Sequence, residues 1–490
     1  MNKMIHIAEE AARCLLCADA PCSKACQNGD PARAIRAIRF DNAEQAGRWV
    51  ADCTDDELEK AEQSCIHYDR PIRIRELVGA LPKAETTAGE SHPSLAIDFC
   101  GLRCENPFFL ASSAICTNYD MVARAFDMGW AGVFYKTICL DDINEVSPRF
   151  DAVGEYRQGD FFGFRNMEQL SENPADVDFD ILHRLKQNYP TKIVVASIMG
   201  RTEEEWIELA EMAERAGVDA VELNFSCPQM RLSGLGSDVG QNPELVTFYT
   251  AYVKRKVNIP VIPKMTPNIT QINQPAMGAY FAGADAISAI NTIKSVTMGE
   301  RGAVSDRKTI SGYSGRAIKP IAQRFILEMA KNQIMKNVQF SGIGGIETWR
   351  DALEYIQLGC RNVQVCTAVM QYGYRIIDDF ISGLQHYMSV RGISSLDTIV
   401  GEELCRFVTP NELDRETVVL PKIDRSKCVG CGRCYTSCRD GGHQAIGFDY
   451  ETRQPNIVGT KCVGCHLCRL VCPAGAIGTT KRFGKPQQSR

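Results

Sequence analysis

Short apolar runs alternate with longer amphipathic stretches through the middle of the chain. Eight runs have the length and flanking turn residues of buried strands: Phe108–Ala111, Gly132–Lys136, Ile193–Ile198, Ala220–Leu223, Pro260–Lys264, Ala286–Ile290, Val338–Ser341 and Val363–Cys366. Stretches with helical spacing lie between them, such as Glu203–Ala216 and Thr348–Leu358. Eight strand–helix units over about 300 residues predict an α/β fold, a TIM (β/α)8 barrel rather than an open doubly wound sheet.

The two ends of the chain differ from this middle in their cysteines. Of 22 cysteines in 490 residues, six lie before residue 70, eight after residue 425, and eight are scattered between. A polar linker runs from about Ala84 to Pro93. We therefore predict an N-terminal α-helical domain (residues 1–83), a linker (84–94), the barrel (95–400) and a C-terminal domain (401–490).

Charge and hydropathy exclude several classes of protein. The formal charge of −5 comes from 55 basic and 60 acidic residues without a sustained basic run, so nucleic acid is not expected as a partner. No apolar stretch approaches the roughly 18–20 residues that span a bilayer, and no signal peptide is evident. We expect a cytoplasmic protein without a membrane partner, in which many cysteines indicate metal or redox chemistry rather than disulfides.

The C-terminal cysteines follow a repeated spacing. Cys428-x2-Cys431-x2-Cys434-x3-Cys438 is followed by Cys462-x2-Cys465-x2-Cys468-x3-Cys472-Pro473, the spacing of bacterial ferredoxins with two clusters. This motif predicts a ferredoxin-like domain with two 4Fe-4S clusters, one held by Cys428, Cys431, Cys434 and Cys472 and one by Cys462, Cys465, Cys468 and Cys438. Zinc is the alternative, because paired Cys-x2-Cys also suits tetrahedral zinc. Arg439 replaces the proline that usually follows the fourth cysteine, which should alter the local turn.

The N-terminal cysteines are dense but unusually spaced. Cys14-x2-Cys17-x4-Cys22-x3-Cys26 is followed by Cys53 and Cys65. The run resembles the N-terminal iron–sulfur domain of dihydropyrimidine dehydrogenases and glutamate synthase small subunits. That resemblance implies one further 4Fe-4S cluster held by Cys14, Cys17, Cys22 and Cys65. The family's second cluster lacks ligands here, since only Cys26 and Cys53 remain, and a vestigial or zinc-bound fold is the alternative.

Small, amide and lysine residues follow the predicted barrel strands. They are Ala111-Ser112, Lys136-Thr137, Asn224, Lys264, Asn291-Thr292, Gly344-Gly345 and Cys366-Thr367. The carboxyl ends of barrel strands share one face, where TIM barrels place their chemistry. Glycines let backbone N–H groups approach a phosphate, and lysines offset the charge of a reduced flavin, so this ring suits a planar cofactor with a phosphate tail.

Five motifs in order carry a family resemblance. They are Phe134-Tyr135-Lys136-Thr137, Asn224-Phe225-Ser226-Cys227-Pro228, Lys264-Met265-Thr266-Pro267-Asn268, Ile310-Ser311-Gly312-Tyr313-Ser314-Gly315 and Ser341-Gly342-Ile343-Gly344-Gly345-Ile346. From Leu95 onward the chain resembles the catalytic subunit of bacterial NAD-dependent dihydropyrimidine dehydrogenases, and the barrel more distantly resembles dihydroorotate dehydrogenases. The resemblance implies FMN bound by Ala111, Ser112, Lys136, Thr137, Lys264, Ser314, Gly315, Gly344, Gly345, Cys366 and Thr367. It implies a pyrimidine base, uracil or thymine, bound by Asn166, Glu168, Asn224, Asn291 and Thr292.

The chemistry of these residues fits that substrate. Carboxamides can pair with both the carbonyls and the N–H groups of a pyrimidine, and the negative Glu168 favours an uncharged base over orotate. Reduction of the C5=C6 bond needs a hydride at C6 and a proton at C5. With an ordinary thiol pKa of about 8.5, Cys227 is a suitable proton donor. The Gly/Ser-rich stretch Ser233–Ser237 could close over it as a lid, although an isolated cysteine is more often a small buried hydrophobe.

The source of electrons lies outside this chain. No Gly-x-Gly-x-x-Gly motif falls between a predicted strand and helix, so no FAD or NAD domain is expected. The resemblance implies a hetero-oligomer with a partner subunit that binds FAD and NAD(P)H; a free ferredoxin is the alternative donor. The N-terminal domain would then be a docking or relay element. A dihydroorotate dehydrogenase-like enzyme, and an electron-transfer module without its own substrate, remain alternative functions.

Overall fold

A computed structural model describes residues 7–81, 92–157, 160–228, 230, 235–298 and 309–484. The chain divides into two compact units, Met1–Cys405 and Arg406–Arg490. Most of the linker predicted at residues 84–94 lies outside the described residues, so the finer domain boundaries stay predictions. Within the described ranges, no helix is both long and apolar enough to cross a bilayer.

Six short helices form the N-terminal part of the first unit. They are α1 (Ile7–Ala12), α2 (Pro21–Lys24), α3 (Pro31–Arg39), α4 (Ala43–Ala46), α5 (Asp55–Gln63) and α6 (Ile74–Gly79). Their apolar faces meet in a separate small core that includes Ile35, Leu58 and Leu77. Asp30 caps α3, and Thr54 forms a capping box with Glu57 at the start of α5, which fixes where both helices begin.

The rest of the first unit contains fourteen strands and ten α-helices among its described residues. The strands are β1 (Ile97–Phe99), β2 (Leu102–Cys104), β3 (Phe108–Leu110), β4 (Gly132–Phe134), β5 (Phe150–Arg157), β6 (Asp160–Asn166), β7 (Ile193–Ile198), β8 (Ala220–Asn224), β9 (Val261–Met265), β10 (Ala286–Ala289), β11 (Ile293–Ser295), β12 (Ser311–Ser314), β13 (Gln339–Ile343) and β14 (Cys360–Val365). The helices are α7 (Tyr119–Asp127), α8 (Ala175–Asn188), α9 (Glu203–Ala216), α10 (Ser237–Gly240), α11 (Pro243–Lys254), α12 (Asn273–Phe281), α13 (Lys319–Ala330), α14 (Trp349–Gln357), α15 (Thr367–Tyr372) and α16 (Ile377–Arg391).

Eight parallel strands close into the predicted barrel, which is thereby confirmed. Their order around it is β3, β4, β7, β8, β9, β10, β13 and β14, with β14 pairing back to β3. Each predicted strand overlaps an observed one. Most of these strands are buried on both faces because helices cover the outside, which is why they read as continuous apolar runs rather than alternating ones.

An antiparallel sheet that the sequence did not predict packs with the barrel. Its order is β11-β12-β6-β5, so it pairs residues near position 160 with residues near position 312. Both Asn166 and Ser314 lie on it. Strands β5 and β6 are adjacent in sequence, but β6 and β12 are far apart, so local hydrophobic patterns gave no signal for the association of β6 with β12.

The N-terminal helices dock on α16 of the barrel through a buried ion pair. Arg36 Nε lies 2.7 Å from Asp379 Oδ2, and the two residues are 8% and 2% exposed. Trp349 Nε1 also donates to the carbonyl of Asp41 at 2.7 Å. These contacts join the helical part and the barrel within one unit.

The second unit has the ferredoxin-like fold that the cysteine spacing predicts. Strand β15 (Thr417–Ile423) pairs with β18 (Ile477–Gly484), β16 (Ile446–Asp449) pairs with β17 (Gln454–Ile457), and the helices are α17 (Arg433–Gly441) and α18 (Leu467–Leu470). Helix α17 runs three residues past Cys438, whereas α18 ends before Cys472. Pro473 disfavours helix at the residue before it, and Arg439 imposes no such stop, so the missing proline does change the local structure.

Candidate active site

One cavity at the carboxyl ends of the barrel strands collects the predicted residues. It encloses about 1000 Å³ of empty space, its open mouth included. Lining it are Ala111, Ser112, Lys136, Thr137, Asn166, Glu168, Asn224, Cys227, Lys264, Asn291, Thr292, Ser314, Gly315, Gly344, Gly345, Cys366 and Thr367, which are all the residues predicted to contact FMN or pyrimidine together with the candidate acid. The fold therefore brings the residues predicted for the cofactor and for the base together around one cavity.

Glycines after the seventh barrel strand form one end of the cavity. Gly344 and Gly345 have φ values of 129° and 70°, and a Cβ on Gly345 would lie 2.7 Å from Lys319 Cβ. A side chain is excluded there, so backbone groups line the wall beside Cys366 and Thr367, which follow the eighth strand. Loops after the seventh and eighth strands are the usual phosphate site of this fold, and these residues fit a phosphate tail.

Hydroxyl and amide groups form a connected network on the cavity floor. Thr137 Oγ1 accepts from Asn224 Nδ2 at 2.9 Å and lies 3.1 Å from Ser112 Oγ. Asn224 Oδ1 accepts from Ser226 Oγ at 2.8 Å, and Asn291 Nδ2 donates to Ser226 Oγ at 2.9 Å. The network fixes the orientation of the two carboxamides that the resemblance assigns to the pyrimidine.

Two lysines of the cavity are each paired with a carboxylate. Lys136 Nζ lies 3.0 Å from Glu168 Oε2, and Lys264 Nζ lies 3.4 Å from Glu222 Oε1. Arg149 also reaches Glu168, with NH1 3.2 Å from Oε1. From the sequence, Glu168 is a negative charge without a nearby cation, which disfavours orotate. In the structure two cations offset this charge, so Glu168 disfavours orotate less than expected.

Cys227 lies in the wall of the cavity and is 6% exposed. Its backbone carbonyl accepts from Ser237 N at 2.9 Å, and a Cβ on Gly236 would lie 2.4 Å from that carbonyl oxygen. The segment predicted as a lid therefore packs directly against Cys227 where it is described. Residues 233 and 234 of that stretch lie outside the described residues.

Several cavity residues were not found from the sequence. Phe150 and Phe164 line the wall with ring centroids 5.2 Å apart, and both come from the unpredicted antiparallel sheet. Gln364 lines it from β14 and is 1% exposed. Its Oε1 has no partner among the residues that the structure describes, so it can accept from a bound molecule. Burial raises the pKa of the Cys366 thiol, which keeps this part of the wall uncharged.

The four N-terminal cysteines predicted to bind a cluster surround one small cavity. Cys14, Cys17, Cys22 and Cys65 line about 380 Å³ of empty space, mouth included. Burial, and then Cys14 and Cys65, raise the pKa of Cys22 to about 11. Leu16 N and Ile72 N donate to the sulfurs of Cys14 and Cys65 at 3.5 and 3.4 Å. A cavity ringed by thiols with N–H···S bonds fits a cubane cluster.

The other two N-terminal cysteines contact each other away from that cavity. Cys26 Sγ and Cys53 Sγ are 2.8 Å apart, and a Cβ on Gly29 would lie 2.4 Å from Cys53 Sγ. Neither of them lines the cavity formed by the other four cysteines.

The first of the two predicted sets of C-terminal cluster ligands lines one cavity. Cys428, Cys431, Cys434 and Cys472 line a cavity of about 340 Å³, mouth included. Cys438, Cys462 and Cys468 lie in the core of the same unit, and Cys465 is exposed. Burial, and then Cys434, Cys462 and Cys465, raise the pKa of Cys468 to about 11, so these thiols are neighbours.

Comparisons with known proteins agree with this geometry. Residues 94–388 match the family described as dihydroorotate dehydrogenase, and residues 421–478 match the 4Fe-4S dicluster domain. The NAD-dependent dihydropyrimidine dehydrogenase subunit PreA of Escherichia coli (strain K12) is 50% identical over 389 residues, 78% of this chain and 94% of that protein. The chloroplastic dihydropyrimidine dehydrogenase (NADP(+)) of Arabidopsis thaliana is 37% identical over 345 residues, 67% of this chain and 81% of that protein. The catalytic subunit of dihydroorotate dehydrogenase B (NAD(+)) of Pyrococcus horikoshii is 34% identical over 312 residues, 63% of this chain and 97% of that protein.

Proposed function

Since the chain belongs to the dihydroorotate dehydrogenase family, flavin oxidoreductases that act on CH–CH bonds, we propose that it is the catalytic subunit of a dihydropyrimidine dehydrogenase. Its reaction is the reversible reduction of uracil or thymine to the 5,6-dihydro base, a step of pyrimidine degradation. The N-terminal helical segment lies outside both matched ranges, so its role rests on its own residues.

One observation carries the proposal: three carboxamides and a charge-balanced glutamate face the same cavity as a cysteine. Asn166, Asn224 and Asn291 can donate to the carbonyls of a pyrimidine and accept from its ring N–H groups. Glu168, held by Lys136 at 3.0 Å, is a further acceptor. An uncharged base needs such neutral partners, whereas the carboxylate of orotate would compete with Glu168 for its cations.

Bound FMN would supply the hydride for C6 of the base. The other roles belong to residues of the chain. The asparagines orient the ring of the base, and the buried Cys227 thiol donates a proton to C5. In the reverse direction the thiolate takes that proton back. Phe150 and Phe164 add apolar surface to the wall of the same cavity.

We also propose how electrons reach the cavity. The C-terminal unit would hold two 4Fe-4S clusters and the N-terminal domain one more, from Cys14, Cys17, Cys22 and Cys65. A partner subunit that binds FAD and NAD(P)H would supply electrons to these clusters. The PreA relative is named as a subunit of an NAD-dependent enzyme, which supports this proposal.

The test uses the purified full chain. The protein is photoreduced without oxygen and mixed with uracil, thymine or orotate, and reoxidation of the flavin absorbance is followed. Reoxidation by uracil or thymine supports the proposal. Reoxidation by orotate alone favours a dihydroorotate-type enzyme, which the Pyrococcus relative and the cations beside Glu168 keep as the second candidate. If no base reoxidises the flavin, the interpretation that remains is an electron-transfer module without its own substrate.

A further inference from the structure

A carboxylate lies behind one of the cavity lysines, inside the barrel. Glu222 on β8 is fully buried, and it does not line the cavity. Its Oε1 accepts from Ser197 Oγ at 2.9 Å and Lys264 Nζ at 3.4 Å, and its Oε2 accepts from Ser288 Oγ at 2.7 Å. Three neighbouring strands thus fix both oxygens, and the carboxylate has one defined orientation.

Lys264 is itself only 3% exposed, and a buried charge is costly unless a group of opposite charge and hydrogen bonds compensate it. Lys264 and Lys136 line the same cavity. Glu168 is already paired with Lys136 and Arg149. Glu222 is therefore the counter-ion of Lys264.

We propose that Glu222 is a positioning residue that holds the Lys264 ammonium group in the cavity wall, where it would stabilise the reduced, anionic form of a bound flavin. This inference rests on the proposed FMN site. Glu222 touches neither cofactor nor base and acts only through Lys264.

The main test is the reduction potential of FMN in Glu222→Gln, measured at pH 8 by equilibration with a redox dye. At the potential where the unaltered protein is half reduced, we expect the ratio of reduced to oxidised flavin to be about tenfold lower in Glu222→Gln. This corresponds to a potential about 30 mV lower for a two-electron couple. Ser288→Ala is the matched control, because it removes one hydrogen bond and leaves the charge. Its ratio should change less than threefold.

The outcomes separate the possibilities. An unchanged potential with a lowered melting temperature would make Glu222 a structural residue only. A potential that rises would show that Lys264 keeps its place without Glu222. Either result overturns the inference.

A second arm does not depend on the flavin. Thermal unfolding is compared for Glu222→Gln, Lys264→Met and the double variant in the full chain. Removing one partner leaves a buried group uncompensated, whereas removing both does not, so the double variant should melt above Glu222→Gln. Additive losses would refute the pairing. Failure of the unaltered protein to bind FMN would count against the proposed function, and this arm would still decide whether the pair exists.

Discussion

Replacing Cys227 by alanine should remove proton donation and leave the cavity intact. The side chain contributes only a thiol to the wall, and its backbone is held independently through the bond from Ser237 N to its carbonyl at 2.9 Å. The glycine end that suits the phosphate is formed by other loops, after the seventh and eighth strands. We therefore expect Cys227→Ala to keep FMN and cluster absorbance.

The loss of rate can be estimated from the burial of the thiol. A positioned general acid contributes about 10²–10⁴-fold. Because Cys227 is 6% exposed, bulk water is a poor replacement for it, and we expect about a 10³-fold loss. At 1.36 kcal/mol per factor of ten, that is about 4 kcal/mol of transition-state stabilisation.

The assay is anaerobic stopped-flow mixing of the reduced protein with uracil, followed by flavin absorbance. Reoxidation by ferricyanide, which needs no proton donor at C5, is the control and should be unchanged in Cys227→Ala. Cys227→Ser tests whether acidity rather than size matters, because the hydroxyl is similar in size to the thiol. A Cys227→Ala variant that reoxidises with uracil within threefold of the unaltered rate would refute the role assigned to this thiol.

Three further predictions concern the clusters, the docking of the N-terminal helices and the flavin site. The purified protein should hold about 12 iron per FMN, and Cys65→Ala about 8, by iron and acid-labile sulfide analysis. Arg36→Met leaves Asp379 buried without its cation and should cost about 3–5 kcal/mol in the free energy of unfolding, measured by chemical denaturation. Gly345→Ala should weaken FMN retention about tenfold after gel filtration, since its Cβ would lie 2.7 Å from Lys319 Cβ in a backbone with φ of 70°.

Each has a matched control. Cys53→Ala should keep the full iron content, and about 16 iron per FMN in the unaltered protein would contradict a single N-terminal cluster. The double variant Arg36→Met/Asp379→Leu should recover most of the lost stability, because no charge is then left buried alone. Gly217→Ala has a φ of 80° and nothing within 4 Å, so it should keep FMN; equal loss of FMN there would mean that backbone strain, not the cavity, explains the effect.

The barrel and its cavity could be predicted because each signal was local. A buried strand of five apolar residues is visible in the sequence, and the residue that follows it must lie on the carboxyl face if the strands are parallel. Lys136, Lys264 and Gly344 were found in this way, on three different strands. The cysteine spacings are local in the same sense.

The remaining features depend on contacts between distant segments. Arg149 reaches Glu168 at the open end of the β5–β6 hairpin, and this hairpin joins its sheet because β6 pairs with β12 much later in the chain. In the sequence, Glu222 is one polar residue inside an apolar strand. Only the folded chain shows that Ser288, 66 residues later, donates a hydrogen bond to its carboxylate. The charge balance of the cavity, unlike its location, is a property of the folded chain.

The same fold gives the N-terminal domain a place near the cavity. Arg375 donates to the carbonyls of Leu16 and Cys17 at 2.6 and 3.2 Å, so it holds the loop that carries the first two cysteines. It follows α15 closely, and α15 begins at Thr367 in the cavity wall. A helix of six residues is about 9 Å long. The cysteine loop is therefore linked to the cavity wall through Arg375 and one short helix, a connection that the proposed relay of electrons through the N-terminal domain would require.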